Sequence, residues 1–329
     1  MQPPGFWFRP RSVLASLLSP LGAVYAAATA RRVAQPARYA PDVPVICVGN
    51  LNIGGTGKTP TVIALVQMLQ GMGVAVHVLS RGYGGRLKGP VQVIERSHSA
   101  DDVGDEPLLM AAFAPVWVGR DRAVTARAAV AAGAEALILD DGFQDPALRK
   151  DLSLVVVDAA LGFGNGRVLP AGPLREPVAA GLRRADMILA IGAPPQIGAF
   201  RESTAYTVPV LAAALKPLQM GLSWPGQRVL AFAGIGRPEK FFATLRAEGA
   251  VLLRAEALSD HQPLSEALMK RLEIEAKALG AQMVTTEKDA VRLPRSFRQK
   301  VMTLPVRLDW EDENAIRAAL GKVLASDAR

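Results

Sequence analysis

Short apolar runs alternate with amphipathic segments along residues 43–192, and this alternation is the strongest structural signal in the chain. Apolar runs rich in β-branched residues are typical of strands buried on both faces, as in parallel sheets. Apolar residues spaced three and four apart indicate helices that cover such a sheet. The runs lie at 43–48, 74–79, 115–118, 135–141, 152–157 and 187–191, and the helical segments at 61–72, 108–113 and 122–132. The pattern predicts an α/β domain built on a doubly wound, mostly parallel sheet.

A second α/β pattern, which starts at residue 229, predicts a smaller domain. An apolar run at 229–236 is accompanied by helical patterns near 238–248 and 264–279 and by the segments 251–258 and 283–289. Two extended segments, 206–210 and 301–306, flank this region. We expect these two segments to pair as a two-stranded connector, so that the chain crosses between the domains twice.

The N-terminal 35 residues have a composition of their own. An uncharged stretch over 12–30 lies between arginines on both sides, and Pro20 and Gly22 interrupt its apolar core. These interruptions argue against a signal peptide and against a full membrane span. We expect an interfacial helix; the alternative is a helix packed on the protein's own body. The residues expected at the bilayer boundary are Phe6, Trp7, Phe8, Leu14, Leu17, Leu18, Leu21 and Tyr25.

Composition narrows the class of protein. Half of the 329 residues are hydrophobic, which excludes a disordered chain. The formal net charge of +8 points to anionic partners, namely nucleic acid, acidic lipid or a phosphorylated substrate. Cys47 is the single cysteine, so an intramolecular disulfide is excluded and a reducing compartment is favoured.

A glycine-rich turn between the first predicted strand and the first helix indicates a phosphate-binding loop. The backbone N–H groups of such a loop face an anion, and glycine lets the chain approach it closely. Lys58 would pair with the β- and γ-phosphates, and the Thr59 hydroxyl would bind Mg²⁺. The strict pattern has glycine where this chain has Asn52, which can still reach left-handed φ and ψ. The expected nucleotide-binding residues are Asn52, Ile53, Gly54, Gly55, Thr56, Gly57, Lys58 and Thr59.

Carboxylates at the ends of predicted strands and helices supply candidates for metal binding and catalysis. Asp140 and Asp141 end an apolar run, as in the Walker B strand that holds Mg²⁺ in P-loop enzymes. Asp105 and Glu106 open a helix on the same side of the predicted sheet, where a role as helix caps is the plainer alternative.

Eight short motifs, in order along nearly the whole chain, resemble the signature of the lipid A 4′-kinases, also called tetraacyldisaccharide 4′-kinases. They lie at 49–60, 80–85, 104–107, 140–144, 169–176, 232–236, 260–261 and 285–289. Members of that family transfer the γ-phosphate of ATP to the 4′-hydroxyl of a tetraacylated diglucosamine 1-phosphate. They act at the cytoplasmic face of the bacterial inner membrane. The resemblance implies ATP and Mg²⁺ as cofactors and an acylated disaccharide phospholipid as substrate.

The resemblance also implies roles for individual residues. Asp105 matches the family's catalytic aspartate and His261 its partner histidine. Arg175 is the expected cation for the γ-phosphate or the transition state, and Lys58 holds the phosphates. The expected Mg²⁺ shell is Thr59, Glu106 and Asp140, with Asp141 beside it. Weaker candidates for the substrate's 1-phosphate or headgroup are Arg81, Tyr83 and Arg120.

Five units are expected from these patterns together. They are an N-terminal interfacial helix (1–35), a P-loop kinase domain (36–205), the connector (206–220 with 300–309), a second α/β domain (221–299) and a C-terminal helix (310–329). The rival function is a membrane-peripheral P-loop ATPase or GTPase that acts as a switch. A nucleic-acid-binding ATPase is less favoured because no nucleic-acid module is visible. Neither nucleic acid nor an obligate protein partner is expected.

Overall fold

A computed structural model of the chain describes residues 3–203, 206–218, 221 and 223–326. It contains two sheets, each flanked by helices. The strands are β1 Val45–Gly49, β2 Val76–Ser80, β3 Val91–Gln92, β4 Val116–Val118, β5 Ala136–Asp140, β6 Leu152–Asp158, β7 Met187–Ile191, β8 Val210–Pro217, β9 Arg228–Ala233, β10 Val251–Ala257, β11 Gln282–Thr286, β12 Val301–Leu304 and β13 Val306–Trp310.

Helices connect most of these strands. They are α1 Val13–Val33, α2 Lys58–Gly71, α3 Ala100–Val103, α4 Asp105–Met110, α5 Arg122–Ala131, α6 Val178–Leu182, α7 Pro194–Glu202, α8 Pro238–Ala247, α9 Glu266–Leu279, α10 Glu287–Ala290 and α11 Asn314–Ser326. Short 3₁₀ helices lie at Gly5–Phe8 and Arg295–Phe297. Expected and observed strands and helices in the first domain agree to within a few residues at their ends, as hydrophobic periodicity allows.

The larger sheet has nine strands in the order β13-β8-β7-β6-β1-β5-β2-β4-β3. Its strands are parallel except at the two edges, where β3 and β13 run antiparallel to their neighbours. Separate apolar clusters cover its two faces, with α2 packed in one cluster and α5 in the other. This is the doubly wound, mostly parallel arrangement predicted from the apolar runs, and it brings the carboxyl ends of β1, β5 and β6 to one edge.

The smaller sheet has four parallel strands in the order β10-β9-β11-β12 and forms the second α/β domain. Phe232 on β9 packs with α9 in one apolar cluster, and Phe242 on α8 packs in the other. Asp158, at the end of β6, ties this domain to the larger sheet. Its carboxylate lies 2.8 Å from Arg237 and 2.6 Å from Lys240 of the second domain.

The crossing between the domains differs from the expected connector. β8 pairs antiparallel with β13, so two neighbouring segments do run side by side. However, residues 301–304 form β12 in the smaller sheet, and β8 is also the parallel partner of β7. The expected pairing of 206–210 with 301–306 is therefore wrong, but the residues that do pair, 213–217 with 306–310, lie within the wider connector bounds of 206–220 and 300–309 except for Trp310. Pro305 lacks the N–H of a continuous strand and separates β12 from β13. Residues 219–220, also assigned to the connector, lie outside the described part of the chain.

The N-terminal helix α1 has one side against the protein and a large apolar side in solvent. Gly22 packs so closely on the loop after β6 that a Cβ there would lie 2.9 Å from the carbonyl oxygen of Val168. Leu17 and Val24 are 72% and 69% exposed. Pro20 does not break the helix. By length and composition α1 could span a membrane, and no other helix in the described residues meets that test.

Candidate active site

The glycine-rich loop, which the sequence predicts to bind phosphate, lies between β1 and α2. Gly54 and Gly57 have φ values of 111° and 99°, which residues other than glycine rarely adopt. Gly57 also lies so close to Ile191 that a Cβ would come within 2.6 Å of its Cδ1 atom. Ile53 and Thr56 belong to the same turn, Thr56 buried and Ile53 exposed. The loop has the backbone freedom and the open helix N-terminus that a phosphate group requires.

Asn52 is accommodated by contacts and not by a left-handed backbone. Its φ is not among the positive values, which belong only to Asp141 and His261 among the described non-glycine residues. Its side-chain amide donates to the carbonyl oxygen of Gly162 at 3.0 Å. The neighbouring Ile53 N–H donates to Pro173 O at 2.8 Å. The segment 162–175 therefore holds the start of the loop in place.

Lys58, Asp141 and Arg175 form an ionic cluster beside the loop. The guanidinium of Arg175 binds the Asp141 carboxylate through two hydrogen bonds of 2.8 and 3.1 Å. Lys58 Nζ lies 3.6 Å from the same carboxylate. Burial alone would raise the pKa of Asp141, but the two cations hold it down at about 2. This cluster places two cations where β5 ends, next to the start of α2.

Asp140, the last residue of β5, is a desolvated carboxylate. It is 7% exposed and accepts a hydrogen bond of 3.0 Å from the Ser80 hydroxyl. Burial, together with the negative charge of Asp141, raises its pKa to about 6. A bound cation would stabilise the ionised form of a carboxylate that is buried in this way.

Gln144 is a buried residue whose role the sequence did not reveal, although it lies in the motif at 140–144. Its amide nitrogen donates to Asn50 O and to Glu176 Oε1, both at 2.9 Å. Its amide oxygen lies 3.3 Å from Arg175 Nη1. Gln144 thus ties the strand end, the phosphate-binding loop and Arg175 together.

Asp105 and His261 come from different domains and meet in the structure. His261 Nδ1 lies 2.9 Å from Asp105 Oδ2, although 156 residues separate them in sequence. Asp105 begins α4 after Gly104, whose φ is 93°, and His261 has a left-handed φ of 59°. The hydrogen bond with Asp105 raises the pKa of His261, while burial and the charge of Lys288 oppose it.

Two cations near this pair were not singled out from the sequence. Arg292 Nε lies 3.2 Å from Asp105 Oδ2, and Lys288 Nζ lies 2.8 Å from Glu106 Oε1. Both belong to the segment that contains the motif at 285–289, which alone could have drawn attention to them. Each carboxylate of the Asp105–Glu106 pair therefore has a cation from the second domain.

Only part of the expected metal shell is free of cationic partners. Among the described residues, no three His, Cys, Asp or Glu side chains form a group that could hold a metal ion. Glu106 is paired with Lys288 and Asp141 with Arg175. Asp140 is instead bound by the Ser80 hydroxyl, and Thr59 is half-buried in the first turn of α2. Of the expected ligands, Asp140 and Thr59 have no ion pair with a cation among the described residues.

The weaker headgroup candidates are all exposed, and one of them lies near the Asp105–His261 pair. Arg81, Tyr83 and Arg120 are all exposed, and the loop that follows β2 packs on the turn before α4. The Tyr83 ring lies 6.1 Å from the His261 ring, edge to face. Of the three, Tyr83 is thus shown next to the Asp105–His261 pair.

Comparison with known proteins gives matches over nearly the full chain. The family model for LpxK, tetraacyldisaccharide-1-P 4′-kinase, matches residues 14–325. The tetraacyldisaccharide 4′-kinase of Dinoroseobacter shibae is 60% identical and covers 100% of this chain and 99% of its own length. That of Jannaschia sp. is 59% identical and covers 98% of this chain and 99% of its own length.

A solved structure supports the same relation. The crystal structure of LpxK from Aquifex aeolicus in complex with ATP superposes with a TM-score of 0.78 at 27% identity, covering 95% of this chain and 100% of that chain. The sequence matches and the fold agree with one another. The chain belongs to the tetraacyldisaccharide 4′-kinase family.

Proposed function

We propose that this protein transfers the γ-phosphate of ATP to the 4′-hydroxyl of a tetraacyl diglucosamine 1-phosphate, giving the 1,4′-bisphosphate. The observation that carries the proposal is the Asp105–His261 contact of 2.9 Å, formed across two domains beside a phosphate-binding loop. Phosphoryl transfer from ATP to a sugar hydroxyl requires a loop that binds the phosphates and a base that accepts the hydroxyl proton. The family membership and the ATP-bound relative support the choice of ATP.

Binding of the phosphates is assigned to the loop and to two cations. The amides of Gly54 to Thr59 face the phosphate oxygens, and Lys58 pairs with the β- and γ-phosphates. Arg175 neutralises charge on the transferring group, because its bidentate pair with Asp141 holds the guanidinium beside Lys58. Phosphoryl transfer depends mainly on such positioning and charge neutralisation.

Thr59 and Asp140 are the residues we assign to Mg²⁺, with Asp141 next to them. When bound, the ion would neutralise charge on the β- and γ-phosphates. Glu106 stays a candidate only if it exchanges Lys288 for the ion, since Lys288 is its partner in this structure.

Activation of the acceptor hydroxyl is assigned to His261 and Asp105. His261 Nε2 accepts the hydroxyl proton as the acceptor oxygen bonds to the γ-phosphorus, and the bond from that phosphorus to the β,γ-bridging oxygen breaks to release ADP. Asp105, bound to Nδ1, orients the ring and stabilises the imidazolium that forms. Because the pair is assembled from both domains, their approach also excludes water from the γ-phosphate.

Acceptor dependence distinguishes this kinase from the rival ATPase or GTPase switch. The purified protein is incubated with γ-labelled ATP, Mg²⁺ and a diglucosamine 1-phosphate lipid in detergent micelles. We expect the label on the 4′ oxygen of the distal sugar, and ATP turnover that depends on the lipid. Turnover without the lipid, or label on another atom, would contradict the kinase assignment; substitution of GTP for ATP is the control for a GTPase.

We further propose that α1 places the enzyme on the cytoplasmic face of the inner membrane. Its exposed apolar side, with Val13 80% and Leu21 58% exposed, matches the acyl-chain boundary, while Arg31 and Arg32 match acidic headgroups. A lipid acceptor embedded in that membrane would then lie within reach of the site.

Charges on the exposed side of α1 are expected to weaken membrane binding. Leu17→Glu combined with Leu21→Glu should lower the bound fraction on anionic vesicles by about tenfold or more, because each buried leucine contributes about 1.5–3 kcal/mol. Binding is measured by vesicle co-sedimentation, together with kinase activity on the vesicle-embedded acceptor. Ile274→Glu, which changes an isoleucine on α9 that is 64% exposed, is the matched control. Unchanged co-sedimentation of the double variant would contradict the anchor.

A further inference from the structure

The two ring nitrogens of His261 face different partners. Nδ1 contacts Asp105, and Nε2 lies 3.2 Å from Lys288 Nζ. The carboxylates of Asp260 and Glu106 are farther from Nε2, at 3.8 and 4.0 Å. The nitrogen that accepts the proton in the proposed reaction is therefore closest to an ammonium group.

Lys288 is held in this position from both sides. Its Nζ atom lies 2.8 Å from Glu106 Oε1, across the gap between the domains. The short helix α10 that carries it is anchored by Glu287, whose carboxylate binds Arg307 of β13 at 2.7 and 3.1 Å. The Thr286 hydroxyl caps the same helix by accepting from the Asp289 N–H at 3.1 Å. The strand that returns the chain to the larger sheet thus sets the position of Lys288.

The chemistry of this contact matches that of a sugar hydroxyl. An ammonium group has donors and no acceptor, so in the 3.2 Å contact it donates to the Nε2 lone pair of the neutral ring. The ring then carries its hydrogen on Nδ1 and donates it to Asp105. A hydroxyl that gives its proton to Nε2 must first donate a hydrogen bond to the same lone pair. Lys288 and the acceptor hydroxyl therefore require the same position on His261.

We propose that Lys288 is a positioning residue for the acceptor: its ammonium, tethered to Glu106, occupies the site on His261 Nε2 that the acceptor hydroxyl takes, and yields that site when the acceptor binds. The inference rests on the proposed function. Before exchange, Lys288 keeps the imidazole oriented with Nε2 facing the acceptor. After exchange, it stays on Glu106, one hydrogen-bond length from the incoming oxygen, and stabilises the negative charge that develops there.

Lys288→Met tests this role in the full-length enzyme with ATP, Mg²⁺ and the micellar lipid acceptor. We expect kcat to fall by about 100-fold, the size of effect that misplacing a reacting group produces, with little change in KM for ATP. Lys240→Met is the matched control. It removes another lysine that crosses between the domains, but one that contacts Asp158 and not His261. We expect it to stay within about threefold of wild type, because Arg237 still neutralises Asp158 after the change.

Lys288→Arg separates positioning from a plain ion pair. Arginine keeps the charge and the contact with Glu106, so a purely structural role predicts wild-type kcat for this variant. An ammonium group can keep its bond to Glu106 while it moves off His261 Nε2. A planar guanidinium is larger and cannot make that exchange in the same way, so we expect kcat of this variant to stay about tenfold below wild type. This variant also serves if the methionine variant does not fold.

Each remaining outcome has a definite meaning. Equal kcat for Lys288→Met and Lys240→Met, or full activity of Lys288→Arg, would overturn the inference. If the wild-type enzyme does not phosphorylate the 4′-hydroxyl, the proposed function itself fails. If wild type is active and the variants are too, only the role of Lys288 fails.

Discussion

His261→Ala is expected to lower kcat by about 10²–10⁴-fold, the contribution usual for a general base. KM for ATP should change little, because the phosphate-binding loop and Lys58 lie on the other domain and do not contact His261. The measurement is steady-state transfer to the lipid acceptor, with ATP affinity measured separately by calorimetry. His98→Ala is the control, since His98 only accepts a hydrogen bond from the Ile94 N–H at 3.0 Å.

Asp105→Ala should produce a loss of the same order, and the double variant little more than either single one. Residues that act as a unit give non-additive losses, because removal of either partner already removes the oriented base. Near-normal transfer by either single variant would contradict the assignment. Additive losses would instead indicate that the two residues act independently and that their 2.9 Å contact is incidental.

The architecture of the larger domain could be predicted because its signal is local and repeated. Each buried parallel strand is a short run rich in β-branched residues, and the helices between the strands have apolar residues spaced three and four positions apart. Pairing between distant segments has no such signal. β13 could be read only as an extended segment, and the proline that separates it from β12 does not specify which sheet each strand joins. The connector bounds therefore include the strands that pair, whereas the two segments expected to pair lie a few residues before the observed partners.

Two local expectations failed because tertiary contacts outweigh intrinsic preference. Pro20 was expected to interrupt the apolar core of the N-terminal segment and so to argue against a membrane span, yet the helix continues through it from Val13 to Val33. Asn52 was expected to use left-handed backbone, yet its amide binds Gly162 and its backbone lies beside Leu174. In both places the segment 162–175 supplies the contacts, and nothing in its sequence indicates that it reaches α1 and the phosphate-binding loop together.

The arrangement of the candidate site could be predicted in part. The loop, Asp140 and Asp141 followed from motifs with a mechanical reason for each residue type. That Asp105 meets His261 followed only from the family resemblance. Lys288, Arg292 and Gln144 were missed because their roles depend on distances that no spacing encodes, such as the 3.2 Å between Arg292 and Asp105. The resemblance pointed to their motifs without naming their partners.

The second large effect is expected for Asp140→Asn, which should strongly reduce transfer and also stabilise the protein. The ionised carboxylate is buried, and its pKa is raised from 3.8 to about 6. Above pH 6 the group is ionised in both the folded and the unfolded state, so the full cost of burying its charge opposes folding. The cost decreases as the pH falls from 6 and is absent below 3.8, where both states are protonated.

Asparagine removes that charge and can still accept the hydrogen bond from Ser80. We expect the free energy of unfolding at pH 7.5, without Mg²⁺, to rise by about 1–3 kcal/mol, since a shift of about two pKa units corresponds to about 3 kcal/mol. The gain should shrink at pH 5, where wild-type Asp140 is largely protonated. Transfer should fall by at least about 100-fold, because the variant loses the charged ligand proposed to hold Mg²⁺ beside the phosphates. Denaturant titrations at the two pH values and acceptor assays measure these effects.

Asp158→Asn provides a control of opposite sign. Asp158 is as buried as Asp140 and also ends a strand of the larger sheet, but Arg237 and Lys240 neutralise its carboxylate. The change breaks both ion pairs and relieves no unpaired buried charge, so this variant should lose stability. If Asp140→Asn also lost stability at pH 7.5, the carboxylate would be compensated in the folded protein, and a Mg²⁺ ion would have no unmet charge to bind. A gain in stability coupled to loss of transfer means that the enzyme retains an unfavourable buried charge because catalysis requires it.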